Sequence, residues 1–204
     1  MDEPGGTQAR SDLSALIGSR ICHDLISPLG AIGNGLELLQ MSGASESPEM
    51  TLIADSVTSA NARIRFFRIA YGDAVQNQMI KGAELRGALH GSYQGSRLQI
   101  DWQPEDMLRS TAKRGFLALQ CLETAMPYGG RIRAVDVGAR GLVFEGSAER
   151  FAYDATLWEG LTQNGPWDGV RPAQVQFPLL AELAREAGNA ISVSRTDATL
   201  TLSV

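Results

Sequence analysis

The sequence predicts an α+β protein made of two dissimilar halves. An N-terminal antiparallel helical hairpin spans residues 11–76, and a two-layer α/β sandwich spans 81–204. Three observations carry this reading. Two long N-terminal segments repeat apolar residues every three or four positions, the spacing of a helix stripe. A short turn joins them, which sets the helices antiparallel. Beyond residue 80, helical segments alternate with runs of strand-like residues, the pattern of helices layered on a sheet.

Residues Met1–Arg10 are polar and glycine-containing, and read as a flexible tail. The first stripe follows within Ser11–Gln40: Leu13, Ile17, Ile21, Leu25, Leu29, Ile32, Leu36 and Leu39. Ser11 or Asp12 is placed to cap its start. Pro28 removes a backbone donor and is expected to bend the helix just before it. Met41–Ser47 reads as a turn. Ser47-Pro48-Glu49 then supplies an N-cap, a first-turn proline and a first-turn acid. The second stripe is Ile53, Val57, Ala60, Ile64, Phe67, Tyr71 and Val75, with Phe66 and Ile69 adding apolar surface. Two helices alone bury little. Pairing two hairpins gives a four-helix bundle with a filled core, so a homodimer through 11–76 is expected.

The second half begins after a boundary near Gln76–Gly82. Helices are expected at Gly82–Tyr93, Leu108–Met126, Asp154–Gln163 and Pro172–Ala187, the last stopped by Gly188. Leu98–Trp102 reads as a strand. Arg131–Val137 and Gly141–Glu145 read as one hairpin, and Ile191–Arg195 with Thr199–Val204 as another.

Composition narrows the function. With 44% hydrophobic residues, the 204-residue chain can build a real core. Its net charge of −5 argues against a broad nucleic-acid or anionic-membrane surface. Two cysteines and two histidines cannot make a disulfide framework or a closed metal centre. No segment resembles a signal peptide or a membrane span, and the free thiols suit a reducing compartment, so a cytoplasmic location is expected.

The sharpest local signal is His23-Asp24-Leu25-Ile26-Ser27-Pro28-Leu29. His23 lies two positions past Ile21, well off the apolar stripe. Ser27, Gly30 and Asn34 share its face, and all are small or short. Gly30, Gly33 and Gly35 each cost about 1 kcal/mol inside a helix relative to alanine. That cost suits a surface another protein must approach closely. A neutral imidazole can attack a phosphoryl group in line and carry it covalently. Asp24 is the nearest carboxylate that can orient the ring, and Arg20 can steady phosphate oxygens. Ser27 either contacts the phosphoryl group or bonds back to its own helix. Arg63, Arg65 and Arg68 are placed to meet an acidic partner or to form a solvated face. His90 reads as a structural or surface residue, Cys22 as a small packing residue, and Trp102, Trp158 and Trp167 as core or interface residues.

His-Asp-Leu-Ile-Ser-Pro-Leu with Gly-Ala-Ile-Gly-Asn-Gly-Leu-Glu-Leu-Leu, and Ala62–Gly72 in the second helix, resemble the ChpT-type histidine phosphotransferases of alphaproteobacteria. The likeness is strong over 18–72 and one of segment order over 81–204. It implies a dimer whose C-terminal domain resembles the ATPase domain of histidine kinases. It implies that His23 accepts phosphoryl from the receiver domain of a hybrid histidine kinase and passes it to response regulators, typically of cell-cycle type. Magnesium would then arrive with the partner receiver, and this chain would need no cofactor or metal of its own.

Three nucleotide-binding features of the kinase domain are absent. Thr124 stands where a magnesium-binding asparagine would be, no Asp-x-Gly-x-Gly follows Val143, and Arg171–Pro178 holds no glycine. Two rival readings remain: a dimeric scaffold that binds receivers without chemistry, and an ATP-dependent kinase core with a divergent pocket. A serine hydrolase on His23, Asp24 and Ser27 is excluded, because Ser27 has no nucleophile elbow or oxyanion hole.

Overall fold

A computed structural model describes residues 5–41, 47–74, 77–138, 141–163, 165 and 167–204; side chains of 5–17, 19, 20, 24 and 40 lie outside the description. Helix α1 runs Gly5–Met41 and includes Pro28. It starts six residues before Ser11, the expected start, so residues 5–10, read as tail, are helical. Gln8, Ala9 and Arg10 are good helix formers, and propensity extends the helix where periodicity gives no signal.

Helix α2, Pro48–Ala70, starts as its sequence specifies. Ser47 Oγ accepts a hydrogen bond from the Met50 N–H, and Pro48 occupies the first turn. It ends earlier than its stripe. Tyr71 caps it at φ −117°, and Val75 lies outside the described residues. The chain then forms β1 (Met79–Ile80), α3 (Gly82–Tyr93), β2 (Leu98–Trp102), β3 (Met107–Leu108) and α4 (Arg109–Ala125). Next come β4 (Gly130–Asp136), β5 (Leu142–Ser147), α5 (Ala155–Gln163), α6 (Gln176–Glu186), β6 (Ser192–Arg195) and β7 (Thr199–Ser203). The single helix expected over Pro172–Ala187 is split into a 3-10 turn, Pro172–Gln174, and α6. As expected, Gly188 follows at φ +70°, a conformation that glycine adopts freely.

Five strands form one sheet in the order β2-β4-β5-β7-β6. Only the β2–β4 pair is parallel, with Ile100 opposite Ile132. One sheet face is apolar and buried: Ile132 and Ala134 from β4, Leu142 and Phe144 from β5, and Leu200 and Leu202 from β7. Alternation sends Arg131, Arg133 and Glu145 to the other face. Helix α4 supplies the second layer through Phe116, Leu119 and Leu122, each fully buried. The two-layer sandwich is therefore as expected. The two-residue β1–β3 ladder was not, because such short strands carry no periodicity.

The hairpin packs onto the sandwich through the off-stripe residues of α2. Phe66 and Ile69 are buried, and the Phe66 ring lies 4.8 Å from Phe116 and 6.0 Å from Tyr93. The stripe of α1 is another matter. Leu36 is buried, but Ile21, Leu25, Ile32 and Leu39 remain about half exposed in the single chain, as does Ile53 of α2. Their apolar surface is not consumed by the intramolecular core.

Helix α3 is capped from a distance. Its N-cap residue, Lys81, makes no side-chain cap, and Asp106 Oδ1 accepts from the Gly82 N–H at 3.0 Å. Asp106 also pairs with Lys81 at 2.7 Å. Lys81, then the Gly82 N–H, hold the Asp106 carboxyl below its usual range. A depressed folded pKa stabilises the protein above the ordinary aspartate pKa, and this is lost as pH falls through the lowered value. Asp106→Ala is thus expected to lower the thermal midpoint at neutral pH. The gap from wild type should close in acid; a gap that persists below the carboxylate range contradicts the cap. Thermal scans across pH measure it.

Candidate functional site

His23 is presented by α1 as an exposed side chain, one residue after buried Cys22. Gly18, just over one turn earlier, fixes this placement. A Cβ there would stand 3.1 Å from the Tyr71 carbonyl oxygen, so glycine lets α1 lie close against the end of α2. His23 and Ile26 thereby open onto a groove of about 420 Å³. Its other walls come from across the chain: Arg68 of α2, Asp73, Gln78–Ile80, Glu84 of α3 and Arg109 of α4.

The cations of this groove are held differently. Arg68 Nη2 meets Glu84 Oε1 at 3.5 Å, with both side chains about half exposed, a pair of modest strength. Arg109 is anchored to backbone: its Nε donates to the Asp73 carbonyl at 3.0 Å, and Nη2 donates to the Arg68 carbonyl at 2.9 Å. Burial, then the neighbouring Arg68 charge, lower the Arg109 pKa from its ordinary value. Lys113, one turn further along α4, is buried and donates to the Gly72 carbonyl at 2.9 Å.

Of the other sequence-derived candidates, Ser27 and Asn34 are exposed on α1, and Gly30 and Gly35 face open space. Gly33 differs: its Cα faces Val57 of α2, so it serves packing within the hairpin. Asp24 and Arg20 lie on the helical turn that carries His23, and their side chains lie outside the described residues. Arg63 and Arg65 are exposed, but neither lines the His23 groove; Arg63 borders a small pocket with Tyr93 and Glu123. Sequence reasoning missed Arg109, Asp73 and Glu84. They carry no local motif; Arg109 and Glu84 join the His23 groove through the packing of α4 and α3, and Asp73 through the end of α2 lying beside α1. His90 is exposed, while Trp102 and Trp158 are core residues.

On the other side of Cys22, a second cavity of about 560 Å³ separates α1 from the sandwich. It is mostly apolar, walled by Ile21, Cys22, Phe67 and Val175, and several of its polar groups bond one another. Tyr71 Oη donates to Gln120 Oε1 at 2.7 Å, and Gln176 Nε2 donates to Thr124 Oγ1 at 2.9 Å. The Thr124 hydroxyl in turn donates to the Gln120 carbonyl. Burial pushes the Tyr71 phenol up to about 12. Among the described residues no cluster of three or more His, Cys, Asp or Glu forms a metal site. None of their helices is long and apolar enough to cross a membrane.

A helical hairpin bearing one exposed histidine, joined to an α/β sandwich, defines a class. Residues 82–199 match the family model of the histidine phosphotransferase C-terminal domain. The chain is 35% identical over 199 residues to "Protein phosphotransferase ChpT" of Brucella abortus (strain 2308), with 93% of each covered. It superposes on a solved structure described as a bacterial phosphotransferase with a TM-score of 0.65 at 28% identity, covering 94% of this chain and 95% of that one. The chain belongs to the ChpT-type histidine phosphotransferase family.

Proposed function

We propose that this protein is the histidine phosphotransferase of a multistep two-component phosphorelay. The carrying observation is His23, exposed on α1 and opening onto a groove with Arg68 and Arg109, in a chain of this family. The phosphoryl donor is the receiver aspartate of a hybrid histidine kinase, and response regulators of cell-cycle type are the acceptors. One imidazole nitrogen attacks phosphorus, the bond from phosphorus to the donor carboxylate oxygen breaks, and its electron pair stays on that carboxylate. The N–P bond is then cleaved by the aspartate of the acceptor in the reverse sense. Asp24 orients the ring, and Arg20 and Ser27 contact the phosphoryl group or the docking partner. Gly30, Asn34, Arg63 and Arg65 extend the docking surface. Magnesium arrives with the partner receiver, and the setting is the cytoplasm.

The Gln120–Thr124–Gln176 network supports a relay without autokinase activity. The hydroxyl at the position of the kinase's magnesium-binding asparagine already donates and accepts within the protein. The decisive experiment mixes a radiolabelled phospho-receiver with this protein and locates the label by mass spectrometry. Acid-labile phosphate on His23 is expected. Stable receiver binding with no label on this chain would favour the scaffold reading.

The half-exposed stripe supports a homodimer in which two hairpins form a four-helix bundle. Burying a Leu or Ile side chain in full contributes about 1.5–3 kcal/mol, and a two-fold interface counts each side chain twice. Leu25→Glu combined with Ile32→Glu also places charge in that seam. It is expected to weaken dimerisation at least about 100-fold, roughly the effect of 3 kcal/mol. Light scattering should give twice the chain mass for wild type and the single chain mass for the variant. Equal masses for both would remove this seam from the interface.

A further inference from the structure

We propose that Arg109, the first residue of α4, binds the phosphoryl group carried on His23 and holds it for transfer. The proposal rests on the reading of His23 as phosphoacceptor and adds a residue that no motif around His23 indicates.

Position comes first. His23 and Arg109 are 86 positions apart in sequence yet line the same groove. Arg109 is fixed there by three backbone contacts. Its own N–H donates to the Gln78 carbonyl at 2.7 Å, and its side chain donates to the Asp73 and Arg68 carbonyls. A guanidinium has five N–H donors in a rigid fork. The two side-chain bonds use two of them and set the plane of the rest.

Charge is the second argument. The groove holds two cations, Arg68 and Arg109, and two carboxylates, Asp73 and Glu84. Glu84 is paired with Arg68. Among the described residues, Arg109 is bonded to carbonyl oxygens and to no carboxylate oxygen. Its charge lies near Arg68 and also near the Asp73 and Glu84 carboxylates, so a dianion is drawn by the donors left on the fork rather than by relief of a net repulsion. The phosphoryl group in flight spreads charge over three equatorial oxygens, which a planar donor fork matches. The positive N-terminal end of the 17-residue helix α4 adds to the same field.

During transfer the donor P–O bond breaks, the N–P bond forms, and Arg109 gains and loses no proton. It supplies donors to the equatorial oxygens throughout. Removing one preorganised donor of this kind costs about 10²–10³ in rate. With Arg68 remaining, a loss of at least about tenfold is expected.

The test is single-turnover transfer from a phosphorylated receiver to the full-length protein, at varied receiver concentration. Arg109→Gln is expected to lower the maximal transfer rate at least about tenfold, with the half-saturating receiver concentration little changed. Arg109→Lys, which keeps the charge but not the fork, should fall between. The phosphohistidine ³¹P resonance should move in both variants, which a purely structural role would not produce. An unchanged maximal rate in Arg109→Gln overturns the proposal, as does a loss confined to half-saturation. Should Arg109→Gln fail to fold, Arg109→Lys decides: a wild-type rate and resonance overturn it. Wild type that takes no label overturns the His23 reading and this proposal with it. Label on wild type with Arg109→Gln unaffected overturns this proposal alone.

Discussion

His23→Ala is expected to leave the protein folded and to abolish its acceptance of phosphoryl groups. The side chain is exposed, and an exposed position away from caps and cores changes stability by about 0.5 kcal/mol or less on substitution. The thermal midpoint and far-ultraviolet circular dichroism should therefore match wild type. The chemistry has no substitute. The chain's other histidine, His90, lies on α3 and does not line the groove. The variant should bind a phospho-receiver and remain unlabelled throughout the time that saturates wild type. Label on His23→Ala would place the acceptor elsewhere and remove the central claim.

Phe66→Ala has the largest expected effect on stability. Phe66 is on the hairpin but is only 4% exposed, because it enters an aromatic group with Phe116 and Tyr93. Phe116 in turn contacts Trp102 at 5.6 Å between centroids, and Trp102 lies in edge strand β2. Truncating a buried phenylalanine costs about 3–5 kcal/mol through lost transfer energy and the cavity left behind. For a chain of this size that corresponds to a fall of roughly 6–20 °C in thermal midpoint. Denaturant titration should show the same loss. A cost below about 1 kcal/mol would mean that hairpin and sandwich are not joined through this ring.

The contrast between these residues shows what a sequence can reveal. His23 stood out because it lies well off a regular helical stripe and shares its face with short residues. The α2 start was legible because Ser47, Pro48 and Glu49 act within one turn. The strands were legible because β4, β5 and β7 alternate apolar and polar residues against one covered face. Arg109 was not legible. It is one arginine at the start of a helix, and its meaning depends on α4 packing beside the end of α2. Phe66 and Ile69 read only as extra apolar surface of the hairpin, part of the case for a second copy; both are buried within the single chain, Phe66 against Phe116 of the sandwich. Residues 5–10 joined α1 through propensity alone, and the β1–β3 ladder arises from tertiary pairing of two-residue segments.

The clasp between α4 and the end of the hairpin has a mechanical consequence. Arg109 and Lys113 together grip the carbonyls of Arg68, Gly72 and Asp73, the stretch where hairpin gives way to sandwich. Three charge-assisted hydrogen bonds there turn a would-be swivel into a splint. On the proposed reading, a protein that relays phosphoryl groups between visiting receivers gains from halves that stand still. A visitor then meets both halves already in register, and the entropy of assembling that surface is spent during folding rather than at each encounter.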